Sequence, residues 1–114
     1  MPKRPMVKRL APIGVAGKKL PKRIQVGSGW YRVREDMSLV GMQHRGETDY
    51  VQRELRISPT CTSEQKAVTL LHEILHVIEA VYLCEDLEER QVKAIAEGLA
   101  QALQSAGLYP ARLD

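Results

Sequence analysis

Residues 63–83, SEQKAVTLLHEILHVIEAVYL, read as one helix that is apolar on most of its sides. A helix of that kind is stable only when other elements cover it, so the rest of the chain must supply a core around it. Thr62-Ser-Glu-Gln65 has the spacing of a capping box, in which the threonine hydroxyl accepts from the third helical amide and the glutamine reaches back, so the helix begins at about Ser63. With 114 residues the chain is one domain in size. It has no phenylalanine and one tryptophan, so its core is built mainly from Leu, Ile, Val and Ala.

The remaining elements follow from hydrophobic period and turn residues. Arg23–Val26 and Trp30–Arg34 alternate around Gly27-Ser-Gly29 and predict a β-hairpin. Leu39–His44 is a weaker strand candidate, and Gly46-Glu-Thr-Asp49 carries turn chemistry. Glu54–Ser58 alternates with Leu55 and Ile57 on one face, and Pro59 stops it. A second helix fits Leu87–Ser105, with Val92, Ile95, Ala96, Leu99 and Leu103 as its inner stripe and Gly107 and Pro110 beyond its end. The expected fold is α+β: a small, largely antiparallel sheet of three to four strands packed on two main helices. Residues 1–22 hold four prolines without sustained period and are expected to be a flexible basic arm, with the folded domain at 23–114.

The long helix carries chemistry on one face. His72 and His76 lie one turn apart, so both imidazoles reach a common point, and Glu73 stands beside them in the H-E-x-x-H pattern. Neutral imidazoles hold Zn²⁺ without cancelling its charge, and zinc lowers the pKa of a bound water towards about 7. Glu73 is then the general base that takes the proton from that water and passes it to a leaving amine. A catalytic zinc takes three protein ligands and one open position. His44 is the remaining histidine and lies in the front half, whereas projection of the second helix's stripe backward reaches Glu89 and Glu88. Glu89 is favoured as third ligand, Glu88 is the alternative, and Glu97 follows. Glu79, three residues after His76, suits a carboxylate that orients a ligand imidazole, or an ordinary surface residue. Thr69 reads as a helix-face hydroxyl and Cys84 as buried packing. Tyr50, Tyr82 and Tyr109 are candidate donors to a carbonyl oxygen, and spacing does not choose among them.

Charge is segregated. Residues 1–34 carry ten Lys or Arg and no acid, while all 14 acids follow. Such a head is either a solvated tail or an attractor of nucleic acid or another anionic surface. Cys61 and Cys84 form no C-x-x-C pair and read as free thiols of a reducing compartment. Leu10–Gly17 imitates a signal peptide but contains a proline and runs into Lys18-Lys19, and no run has the length of a membrane span. A cytoplasmic protein is expected.

The stretch ELRISPTCTSEQKAVTLLHEILHVIEA, followed by LEERQVKAIAEGLAQAL, resembles a group of small zinc-peptidase-like proteins encoded by phages and prophages. The likeness spans about Ile24 to Gly107 and is strongest in Thr69–His76. More distantly the chain is similar to the ImmA/IrrE-like metallopeptidases and the wider zincin fold. The resemblance implies zinc, His72 and His76 as ligands, Glu73 as base and a third carboxylate in the second helix, with the register within LEER open between Glu88 and Glu89. The longer basic arm and Glu97 depart from the group's pattern. Two functions follow as expectations: hydrolysis of a peptide or protein substrate, or a non-catalytic, zinc-stabilised binding module whose arm contacts nucleic acid or a protein partner. A peptidase tethered near DNA would combine them. The Glu54–Ser58 strand is the expected edge for an extended substrate.

Overall fold

The computed structural model describes residues 18–84 and 86–114. These form, in chain order, β1 (Arg23–Val26), β2 (Gly29–Glu35), α1 (Ser38–Met42), β3 (Gly46–Asp49), β4 (Glu54–Ile57), α2 (Ser63–Tyr82) and α3 (Glu89–Ser105). The fold is α+β, with one sheet in the order β1-β2-β4-β3. The β1–β2 and β3–β4 pairs are antiparallel, but β2–β4 is parallel, so the sheet is mixed. The chain leaves β2, crosses through α1, runs back along the outer edge as β3, and turns to insert β4 between β2 and β3.

Two segments differ from the sequence expectation. Leu39–His44 is not a strand. Asp36 Oδ1 accepts from the Ser38 amide at 3.0 Å, a one-turn helix follows, and Gln43 ends it in the left-handed region at φ 59°. Leu39 is its buried residue, so there is no alternating face for a sheet to cover. Gly46–Asp49, read as a turn, is edge strand β3. Arg56 on β4 holds it across the sheet, bonding Glu47 at 3.1 Å and Asp49 at 2.8 Å, and the reversal shifts to residues 50–53. The expected substrate edge was β4, which lies inside the sheet; among the described residues the edge strands are β1 and β3.

Helix α2 packs on β1, β3 and β4, and also on α3. This explains a sequence that is apolar on most sides. Tyr31, Val33, Leu55 and Ile57 from the sheet meet Ala67, Leu70 and Val77 from α2 in the core. The capping box forms as expected, with Thr62 Oγ1 accepting from Gln65 N at 3.1 Å and Gln65 Oε1 from Thr62 N at 3.0 Å. Gly27 makes the tight β1–β2 turn at φ 61°, and its missing Cβ leaves room for Val81 and Tyr82 at the end of α2.

Helix α3 buries Val92, Ala96 and Ala100. Ile95 and Leu99, expected inside, are exposed, and Leu103 is half-buried. The two alanines allow close approach to α2, and the contact line is therefore rotated towards them. The C-terminal segment closes the domain: Leu113 N donates to Ser63 O at 3.0 Å, and Leu20 N to Asp114 O at 3.0 Å. Most of the expected arm, residues 1–17, falls outside the described residues, while residues 18–22 are tied to the C-terminus through Lys18 and Leu20 and to β2 through Lys22. Among the described residues no helix is long and apolar enough to cross a membrane.

The sheet's outer face is held by one carboxylate. Glu54 is buried on β4 and accepts from Arg32 at 2.6 Å, Arg56 at 3.0 Å and Arg34 at 3.2 Å. The Arg56 hydrogen bond, with help from Arg34 and Arg32, holds its carboxyl below the ordinary glutamate value of 4.5. Glu54→Ala should lose about 2–3 kcal/mol in urea unfolding, less than the full cost of breaking a buried pair because Arg32 and Arg34 are largely solvated. A depressed pKa stabilises the fold above the unfolded value and loses that contribution as pH falls through the folded one. The difference in stability between the native chain and Glu54→Gln should therefore shrink as pH falls below the ordinary glutamate value of 4.5.

Candidate metal centre

The H-E-x-x-H turn lies mid-way along α2, where the sheet covers one side and α3 another. His72 and His76 point the same way, with ring centroids 4.9 Å apart and Nε2 atoms 3.2 Å apart. The rotation of α3 towards its alanines turns Glu89, its first residue, to the same point. Glu89 Oε1 lies 2.8 Å from His76 Nε2 and 3.3 Å from His72 Nε2, and its Oε2 is 3.1 Å from His72 Nε2. Glu88 takes extended backbone as the N-cap, so its carboxylate turns outward to Arg90 at 3.1 Å. Between the two glutamates of LEER, it is Glu89 that stands with the histidines.

Two imidazole nitrogens and a carboxylate oxygen converging in this way can share a hydrogen bond or a metal ion between them. The ligand atoms of His72, His76 and Glu89 all lie within 4.8 Å of one another. A tetrahedral zinc with bonds of about 2.0–2.1 Å has ligand–ligand edges of about 3.3 Å. The observed triangle through Glu89 Oε1 has edges of 2.8, 3.2 and 3.3 Å. The donor set therefore fits a small divalent ion held from one side, with the groove side open.

The surrounding groups orient this set. Glu79 is buried; its Oε1 lies 3.4 Å from His76 Nδ1 and its Oε2 accepts from the Leu87 amide at 2.9 Å. It thereby favours the tautomer with the proton on Nδ1 and leaves Nε2 as a donor to a cation. Glu73 is buried too, and Thr48 Oγ1 on β3 donates to its Oε1 at 2.7 Å. Burial pushes the Glu73 carboxyl above its ordinary value, while the Thr48 bond and the two imidazoles pull it back in part. That direction makes Glu73 a stronger base than a solvated carboxylate.

An open groove of about 640 Å³ runs beside these residues, of a size suited to a small ligand or several peptide residues. Gly46, Glu47 and Thr48 of β3 form one wall and Glu89, Lys93 and Glu97 of α3 another. His44 and Arg45 line it as well, but His44 is outside the three-ligand group. Of the three tyrosines considered, Tyr50 lines the groove and its hydroxyl donates to the His76 carbonyl at 3.3 Å. Tyr109 bonds the Ala67 carbonyl, where burial raises its hydroxyl to about 12, and Tyr82 is exposed beside Gly27. Thr69 is buried with its methyl against Gly46. Cys84, expected to be buried, is exposed at φ 52°, and Cys61 is the buried thiol.

Sequence reading missed Thr48 and Gly46, because GETD was taken for a turn. The signal was present: Glu47 and Asp49 alternate with Gly46 and Thr48, as on a charged edge strand. Comparison with protein-family models, with curated proteins and with solved structures finds no match to this chain. The site therefore stands on its own geometry.

Gly46 lets β3 approach α2 closely. A Cβ there would sit 2.7 Å from Thr69 Cγ2 and 2.9 Å from Glu73 Oε2. Gly46→Ala should destabilise the fold by about 1–3 kcal/mol in chemical denaturation, the cost of overpacking a tight contact.

Proposed function

We propose that this chain is a minimal zinc-dependent peptidase, of the kind its resemblance to small phage and prophage zinc-peptidase-like proteins implies, working in the cytoplasm. The observation that carries the reading is the convergence of His72, His76 and Glu89, with the buried carboxylate of Glu73 on the same helix turn. His72, His76 and Glu89 would hold the ion. When bound, zinc would polarise the scissile carbonyl and bring the pKa of a water near neutrality.

The chain's own residues do the rest. Glu73 accepts the proton of the attacking water and delivers it to the leaving amine. Thr48 fixes that carboxylate through Oε1, so the base keeps one orientation in both steps. Among the described residues β3 is an edge strand of the sheet and borders the groove, so its outer backbone groups would be available to pair with an extended peptide. Tyr50 is the one of the three candidate tyrosines that lines the groove, and its hydroxyl would have to leave the His76 carbonyl to donate to the scissile carbonyl oxygen as charge develops there. The free thiols support the cytoplasmic assignment.

Elemental analysis of the purified chain should give about one zinc per molecule. The double variant His72→Ala/His76→Ala should contain none; undiminished zinc in it would remove the site assignment. Glu73→Gln should keep the metal and lose peptide cleavage by about 10²-fold or more. A chain that holds zinc stoichiometrically but cleaves no peptide in a diverse library would instead be the zinc-stabilised binding module. Glu79→Ala should weaken zinc binding by about 10–100-fold in a competition assay with a chelating dye, by releasing the His76 ring.

A further inference from the structure

The opposite edge of the sheet has a different character. The β1–β2 hairpin alternates cleanly: Ile24, Val26, Tyr31 and Val33 turn towards α2, while Arg23, Gln25, Trp30, Arg32 and Arg34 form the exposed outer face. Lys18, Lys19 and Lys22 precede that face and are exposed. Residues 18–34 contain no acid, and across the outer face the acids Glu47 and Asp49 gather around Arg56 at the far edge. Glu54 and Asp36 both pair with Arg34, and Glu54 offsets part of the charge of Arg32, yet the Arg32 side chain remains 68% exposed. Among the described residues, Lys18, Lys19, Lys22 and Arg23 enter no ion pair. The face is therefore polarised, positive along β1 and β2.

An aromatic group stands within this positive field. Trp30, the chain's single tryptophan, is 46% exposed, and the Arg23 guanidinium lies 4.2 Å from its ring centroid. We infer that the outer face of the β1–β2 hairpin is a docking surface for single-stranded nucleic acid. Charge complementarity selects a polyanion, and a half-exposed indole beside a stacked guanidinium supplies a sequence-tolerant platform for bases. A membrane surface is disfavoured because, among the described residues, Trp30 is the sole large apolar side chain on this face, where insertion into lipid needs several. A duplex is disfavoured because, among the described residues, the face is a sheet of short strands with no element projecting from it to enter a groove. The surface lies at the β1 edge and the metal centre beside the β3 edge, so this inference does not depend on the peptidase reading.

The test uses the full chain and an oligothymidylate of about 15 nucleotides, a length on the scale of single-strand binding sites. Binding should quench Trp30 fluorescence and saturate, and log K should fall linearly with log[salt]. Lys22→Gln/Arg23→Gln, which removes two charges outside any ion pair, should reduce the magnitude of that slope by roughly 1.4. With a labelled oligonucleotide followed by anisotropy, Trp30→Leu should bind at least about fivefold more weakly, while Trp30→Phe keeps most of the affinity. Absence of quenching would overturn the proposal. So would binding that the Lys22/Arg23 and Trp30 variants leave unchanged, since residues outside this face would then be responsible. Equal or tighter binding to anionic phosphatidylserine vesicles than to the oligonucleotide would overturn it in favour of a lipid surface.

Discussion

The structure depends on the burial of α2 from two directions. The sheet covers one flank with Val33, Leu55 and Ile57, and α3 covers another with Val92, Ala96 and Ala100. A helix enclosed in this way loses most polar options along its length. His72 and His76 survive because they sit on the strip that neither partner closes, where a groove remains. Glu73 is nevertheless almost fully enclosed, and without the Thr48 hydroxyl it would be a buried carboxylate with little to bond.

Small residues set the second half of the site. If α3 packed through Ile95 and Leu99, the helix would be rolled away from the groove and Glu89 with it. Packing through Ala96 and Ala100 draws α3 closer and rolls Glu89, Lys93 and Glu97 to the groove side. The exposure of two large apolar residues accompanies that roll. Glycine plays the same part on the other wall, where Gly46 brings the β3 backbone against Thr69 and Glu73.

The helices were readable because their signals are local: a capping box at Thr62, a sustained apolar run, and a stop near Gly107. The hairpin was readable for the same reason. The pair of histidines and the neighbouring glutamate follow from helical spacing alone. What resisted reading depends on partners distant in sequence. GETD is a strand because Arg56 lies opposite it, and the β2–β4 pair is parallel because the chain crosses back through α1 and the edge strand β3 before β4 takes the place beside β2. The choice between Glu88 and Glu89 turned on which residue is the N-cap, a distinction of one position that periodicity does not resolve. The inner stripe of α3 was read in part: Val92 and Ala96 are buried as expected, but Ile95 and Leu99 were included and Ala100 was not, because close helix packing favours the small residue.

One feature of the site ties its occupancy to the architecture. His72 and His76 belong to α2, but Glu89 is the first residue of α3, and Glu79 reaches the Leu87 amide in the connection between them. A chain with α3 detached would keep two donors and lose the third. Any cation that prefers three donors to two therefore binds the docked form more tightly, and by thermodynamic linkage it strengthens the docking of α3 by the same free energy. If the three donors hold an ion as proposed, its binding and the docking of α3 would be coupled equilibria, each strengthening the other.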